Sequence, residues 1–167
     1  MARTRSSDLL IIGPVVVAIG ATVSFSHSES KHVSIAIGTA LNDHAAERRA
    51  LYNTRSPYKM NICLVTGLDV DFYAVGLAID ESHARVRDGN NCLFEEATCN
   101  VGFCPANVWT PAGEPAKALY VDRVSCSSNR SCEVTVRQYS GEHTYRAEKR
   151  GGSWEITHRS PYYIYIN

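Results

Sequence analysis

The chain has 167 residues, a formal net charge of zero, 44% apolar residues, nine tyrosines and six cysteines. That length suits one domain with one ordinary core, and the apolar content excludes the low-hydrophobicity, high-charge composition of disordered chains. A balanced charge leaves no net field to gather nucleic acid or an anionic lipid surface.

At the N-terminus, Arg3 and Arg5 precede an apolar run from Leu9 to Phe25. A positive start, an apolar stretch and then small residues is the order of a signal peptide, and Ser24 and Ser26 fit the small-x-small cleavage rule. Residues 1–26 are therefore expected to be a signal peptide cleaved after Ser26 or an uncleaved membrane anchor. The run is at the short end of a membrane span, and Gly13-Pro14 would kink an anchoring helix. Residues 27–167 would then form a single exported domain, periplasmic or extracellular, either free or tethered. Membrane contact is expected only through the N-terminal segment, if it is retained.

From Ser34 to Arg55, the residues Ile35, Ile37, Leu41, Ala45, Ala46 and Leu51 recur at roughly helical spacing, with Glu47, Arg48 and Arg49 on a polar side. This predicts an amphipathic helix that ends before Pro57. After a short apolar stretch, Ile62 to Val65, the segment from Asp69 to Val86 places Val70, Tyr73, Leu77 and Ala84 in a weaker helical pattern broken by Gly76. It reads as a second helix. Residues 87–116 contain Asp88-Gly89-Asn90-Asn91, Pro105, Pro111, Gly113, Pro115 and three cysteines, the composition of a long, irregular, crosslinked loop.

Four alternating runs follow, separated by turn residues: Ala118–Cys126, Cys132–Tyr139, His143–Lys149 and Trp154–Arg159. They predict an antiparallel meander. If Ser140-Gly141 and Arg150 to Ser153 make tight turns, Tyr139 pairs with Glu142 and Lys149 with Trp154, and the remaining register follows by counting. One face then carries the row Val124, Val134, Ala147 and Ile156. Beside it lie Asp122, Val136, Tyr145 and His158, and beyond these Tyr120, Gln138 and His143. Glutamates 133, 148 and 155 with Thr135, Arg137, Thr144, Arg146, Thr157 and Arg159 occupy the other face, so the sheet should be half-buried. The expected fold is α+β: one or two N-terminal helices packed on a curved antiparallel meander of about four to five strands, stapled by disulfides. The tail Tyr162 to Ile166 is rich in strand formers and reads as a last edge strand.

An even number of cysteines in an exported chain predicts disulfides. Cys126 and Cys132 flank the loop Ser127–Ser131 and stand opposite each other in the expected register, which suits a bond. The other four allow three connectivities, among which spacing favours Cys99 with Cys104 and Cys63 with Cys92. A metal site built from Cys92, Cys99, Cys104 and a histidine lacks the paired short knuckles of structural zinc, so neither metal nor other cofactor is expected. Asn129-Arg130-Ser131 matches the glycosylation acceptor pattern, which matters only in a eukaryotic secretory pathway.

No GxSxG, HExxH, phosphate-cradling glycine loop, EF-hand loop or CxxC is present. What remains is the polar group on the apolar sheet face. Asp122, Tyr145 and His158 are candidate acid–base residues, because a histidine titrating near neutrality beside a tyrosine and a carboxylate can move protons at a pocket mouth. Tyr120, Gln138 and His143 would line that pocket. The plainer reading is that all six mark the open end of the sheet, where polar tips meet water.

The last predicted strand opens Gly151-Gly152-Ser153-Trp154-Glu155-Ile156. Helices followed by a bent meander with this opening resemble small exported proteins of the NTF2-like, cystatin-like kind, over roughly the last third of the chain. The resemblance implies a sheet wrapped around a cone-shaped pocket that is catalytic in some members and only binds ligands or partners in others. It transfers no catalytic residue to this chain, whose cysteine-rich loop departs from the pattern. The expected function is a non-catalytic exported module that binds a protein or small ligand. The alternative is a small pocket enzyme of lyase, isomerase or hydrolase type using Asp122, Tyr145 and His158.

Overall fold

The computed structural model describes residues 27–51, 59–95 and 107–164. The expected signal or anchor segment and the expected Cys99–Cys104 pair lie outside the described residues. Helix α1 spans His27–Leu51, beginning before the predicted Ser34. Its buried positions include Ser34, Ile37, Leu41, His44 and Ala45, a stripe recurring every three or four residues that turns one side of the helix to the core.

Helix α2 is short, Phe72–Leu77, and starts where Asp71 accepts from the backbone N–H groups of Tyr73 and Ala74 at 3.0 and 3.2 Å. The Asp71 N–H in turn donates to Ser34 Oγ at 2.9 Å, fixing the start of α2 against α1. Further along, a Cβ at Gly38 would meet the Val75 carbonyl at 2.4 Å. Only glycine lets these two backbones touch.

The expected helix over Asp69 to Val86 is therefore corrected. It ends at Leu77, the chain turns at Asp80, whose side chain accepts from the Ser82 N–H at 2.8 Å, and strand β2 occupies Ala84–Asp88. Ala84 and Val86 alternate with Arg85 and Arg87, and this period of two prevails over the weak helical spacing.

Strand β1 is Met60–Val65, pairing in parallel with β2 from Met60↔Ala84 to Leu64↔Asp88. The remaining strands are β3 (Leu93–Glu95), β4 (Asn107–Trp109), β5 (Pro115–Ser128), β6 (Ser131–Gln138), β7 (Gly141–Arg150), β8 (Ser153–Arg159) and β9 (Tyr163–Ile164). Strand order along the main path is β2-β1-β5-β6-β7-β8, with β3 and β4 added beside β5, and β9 pairing with β7. The fold is α+β, with β5 to β8 forming the expected meander. Its sheet is nonetheless mixed and holds nine strands among the described residues, a correction to the purely antiparallel expectation of about four to five strands. The stretch Ile62 to Leu64 is buried between parallel neighbours on both sides. Such a strand shows a continuous apolar run and no alternation, so it carries no period-two signal.

Two disulfides match the expectation. Cys63–Cys92 ties β1 to the end of the 3-10 turn Gly89–Asn91 that follows β2, and Cys126–Cys132 joins β5 to β6. The sheet curls around α1, and Ile37, Leu41, Ile62, Leu64, Leu119, Val121, Val134 and Tyr145 fill the space between them.

Register decides which side chains share that interior. Between β5 and β6 it begins as expected, with Cys126↔Cys132 and Val124↔Val134, and then shifts so that Tyr120 meets Arg137. From β6 to β7 the turn uses Tyr139-Ser140, Gln138 pairs with Gly141, and Val134 faces Tyr145 instead of Ala147. A slip of two residues leaves every side chain on its expected face. From β7 to β8 the expected Lys149↔Trp154 pairing holds, closed by Gly151 and Gly152 at φ 56° and 97°, the two positive values a two-residue hairpin needs. A bulge beside Arg146 then places Tyr145 opposite Arg159 and Arg146 opposite His158.

Candidate functional site

The two register shifts rearrange the predicted acid–base group. A bulge adds one residue to one strand and inverts the alternation beyond it. In β5 this buries Leu119 and Val121, while Asp122 is exposed on the outer face in an ion pair with Arg137. In β8 it turns His158 outward, and Arg159 takes the inward place. Tyr145 alone of the three stays inside, fully buried. Asp122 and His158 are thus corrected to the face opposite Tyr145.

The expected lining residues divide in the same way. Tyr120 lies outside, with the Arg137 guanidinium 5.3 Å over its ring. Gln138 and His143 remain inside, Gln138 donating to Tyr162 Oη at 2.8 Å.

What meets Tyr145 is helix α1. His44 Nδ1 lies 2.8 Å from Tyr145 Oη, and both residues are sealed from solvent. Burial, followed by electrostatic interaction with Arg48, His143 and Arg159, lowers the His44 pKa to about 4, with a Gln138 hydrogen bond opposing. Burial also raises the Tyr145 hydroxyl well above its ordinary value, helped by the Glu47 carboxylate. Tyr145 therefore keeps its proton and shares one hydrogen bond with a neutral His44.

Around this bond runs a ring of charge. Arg159 reaches from β8 to Asp43 and, at 2.8 Å, to Glu47, both on α1. Burial works against its charge, yet the Asp43 hydrogen bond and the charges of Asp43 and Glu47 raise its pKa. Its guanidinium also sits 5.7 Å over the Tyr145 ring. His143 Nδ1–H donates to the Ser160 carbonyl at 3.1 Å, which points Nε2 at Glu47 Oε2, 3.9 Å away.

Chemically, the inner group is a strut. A base whose conjugate acid titrates near pH 4 is poorly matched to proton transfer at neutrality, and a sealed one has no substrate within reach. What it does is bind helix to sheet, through one neutral hydrogen bond and one charged fork. Glu47, expected on the polar side of the helix, faces the sheet, and Asp43 and His44 join it there, His44 following Leu41 by three residues, the spacing of the buried stripe. Arg159 was assigned outward because nothing in the alternation of β8 announces a bulge.

On the outer face, a cleft of about 320 Å³ is lined by Asp122, Arg123, Thr135, Arg137 and Glu142. It lies where the β5 bulge interrupts the ladder. Arg123 makes no ion pair among the described residues, whereas Arg146 pairs with Glu133 at 2.7 Å and Arg150 with Glu148 at 2.8 Å. The β6–β7 slip sets Arg146 and not Glu148 opposite Glu133, so Glu133, Glu148 and Glu155 form no single row and pair instead with Arg146 and Arg150 on a solvated face. Among the described residues no cluster of three or more His, Cys, Asp or Glu side chains could hold a metal ion, and no helix is long and apolar enough to cross a membrane. Compared with known proteins, the chain matches no family model, no curated protein and no solved structure.

Proposed function

We propose that this chain is an exported, non-catalytic binding module that takes a small ligand or peptide on the outer face of its sheet. The observation that carries this reading is the division of polar residues by the curled sheet. Those inside are engaged with one another and with α1, while those at the β5 bulge border an open cleft. Arg123 and the Tyr120-backed Arg137, which also pairs with Asp122, offer donors to a carboxylate. Export is part of the proposal, supported by the layout of residues 1–26 and by the two disulfides. So are cleavage after Ser26 and kinship with NTF2-like or cystatin-like exported proteins, the latter supported by the glycine turn leading into Trp154.

A series of capped tripeptides and small carboxylates, titrated into the isotope-labelled domain, tests the reading by NMR. Shift changes should centre on Arg123, Thr135 and Arg137, and Arg123→Glu should weaken binding at least about tenfold, or 1.4 kcal/mol. No binding anywhere in the series would contradict it, as would changes centred on His44 and His143 accompanied by turnover of the added compound.

A further inference from the structure

We propose that the seam between α1 and the inner face of β7 and β8 is an acid-operated latch that frees α1 from the sheet while the β5–β6 hairpin stays closed. At neutrality the seam is balanced. From α1 it receives Asp43, His44, Glu47 and Arg48, from β7 His143 and Tyr145, and from β8 Arg159; Gln138 of β6 and Tyr162 complete it with uncharged groups.

Arg159 pairs with both carboxylates, Arg48 stands beside them, and His44 is neutral. The His44 and His143 rings are 6.0 Å apart, and both flank the Tyr145 ring, at 6.2 and 5.7 Å. Arg48 lies 5.6 Å over the Tyr162 ring, which itself sits 4.8 Å from His143. Every proton taken up by the buried His44 adds positive charge beside two guanidinium groups. Protons on Asp43 or Glu47 also remove the anions that hold Arg159.

Protonation thus attacks the charge balance that links α1 to the sheet.

The direction with pH follows from His44. Above its unfolded value of 6.5 the ring is neutral whether α1 is docked or released. Between 6.5 and about 4 the released ring binds a proton that the docked ring refuses, so docking weakens as pH falls. Over that whole interval the docked state loses on the order of a hundredfold in its equilibrium with the released state. The β5–β6 hairpin carries no group of this kind, and the Cys126–Cys132 bond crosslinks it. It should outlast the seam.

Amide hydrogen exchange of the intact domain between pH 7 and 4, corrected for intrinsic rates, tests the latch. Protection of α1 at Leu41 to Ala45 is expected to fall at least tenfold more than that of Val134 and Thr135 in β6. His44→Gln, which retains a hydrogen-bonding side chain toward Tyr145, should abolish most of this difference. Should that variant fail to fold, Arg48→Met provides the second arm, because removing a cation that faces His44 should move the loss of α1 protection to lower pH. Uniform loss throughout the domain, unchanged protection down to pH 4, or an opening midpoint unaffected by either substitution would overturn the proposal.

Discussion

Tyr145→Ala is expected to destabilise the domain by about 4 kcal/mol, measured by urea unfolding at pH 7. Its ring is fully buried in the core cluster that also holds Leu41, Val134 and Ala147, and truncating a buried aromatic costs about 3–5 kcal/mol once the residual cavity is included. The milder Tyr145→Phe separates the hydrogen bond from the packing. It keeps the ring and removes the hydroxyl that bonds His44 Nδ1, leaving that buried ring nitrogen without its partner at a cost of about 1–3 kcal/mol. Replacing both residues, as Tyr145→Phe with His44→Leu, should cost less than the sum of the single changes, since no buried polar atom is then orphaned. A neutral Tyr145→Phe would show that the bond contributes nothing to holding α1.

The second large effect is expected at Cys63–Cys92. Replacing both cysteines by alanine should cost about 3.5 kcal/mol, against about 2 kcal/mol for the same change at Cys126–Cys132. The difference comes from chain entropy: the two bonds close sequence separations of 29 and 6 residues, and the longer loop loses more freedom when crosslinked in the unfolded chain. Cys63 is fully buried and forms a small second core with Cys92 and Val108, so lost packing adds to the larger figure. Unfolding of the two double variants under identical conditions decides the order. A greater loss at Cys126–Cys132 would mean that local strand pairing, not loop closure, governs how each bond stabilises the domain.

Strong, local patterns were legible in the sequence. The stripe of α1, the alternation of β5 to β8, the two-glycine turn and the Cys126–Cys132 pairing all depend on spacing within one or two elements. Strand β1 was not legible, because its neighbours β2 and β5 are distant in sequence and a strand flanked in parallel on both sides shows no alternation. Nor were the bulges near Tyr120 and Arg146, which depend on how the curled sheet fits α1. Those two single-residue insertions separated the predicted candidates. They sent Asp122 and His158 outward, drew Arg159 inward, and left Tyr145 to a partner on α1 that strand counting does not consider. The candidate site was therefore readable as a polar group on the sheet but not as a set of contacts.

The division between an inner strut and an outer binding face can be examined at a single imidazole. An NMR titration of the His44 ring in the folded domain, at constant ionic strength, reports directly whether the inner group is sealed and structural. The structure predicts a ring that stays neutral from pH 7 downward and protonates only near pH 4. A midpoint between 6 and 7 would show a solvent-accessible base poised for proton transfer at neutrality, and would contradict the assignment of this cluster to holding the fold.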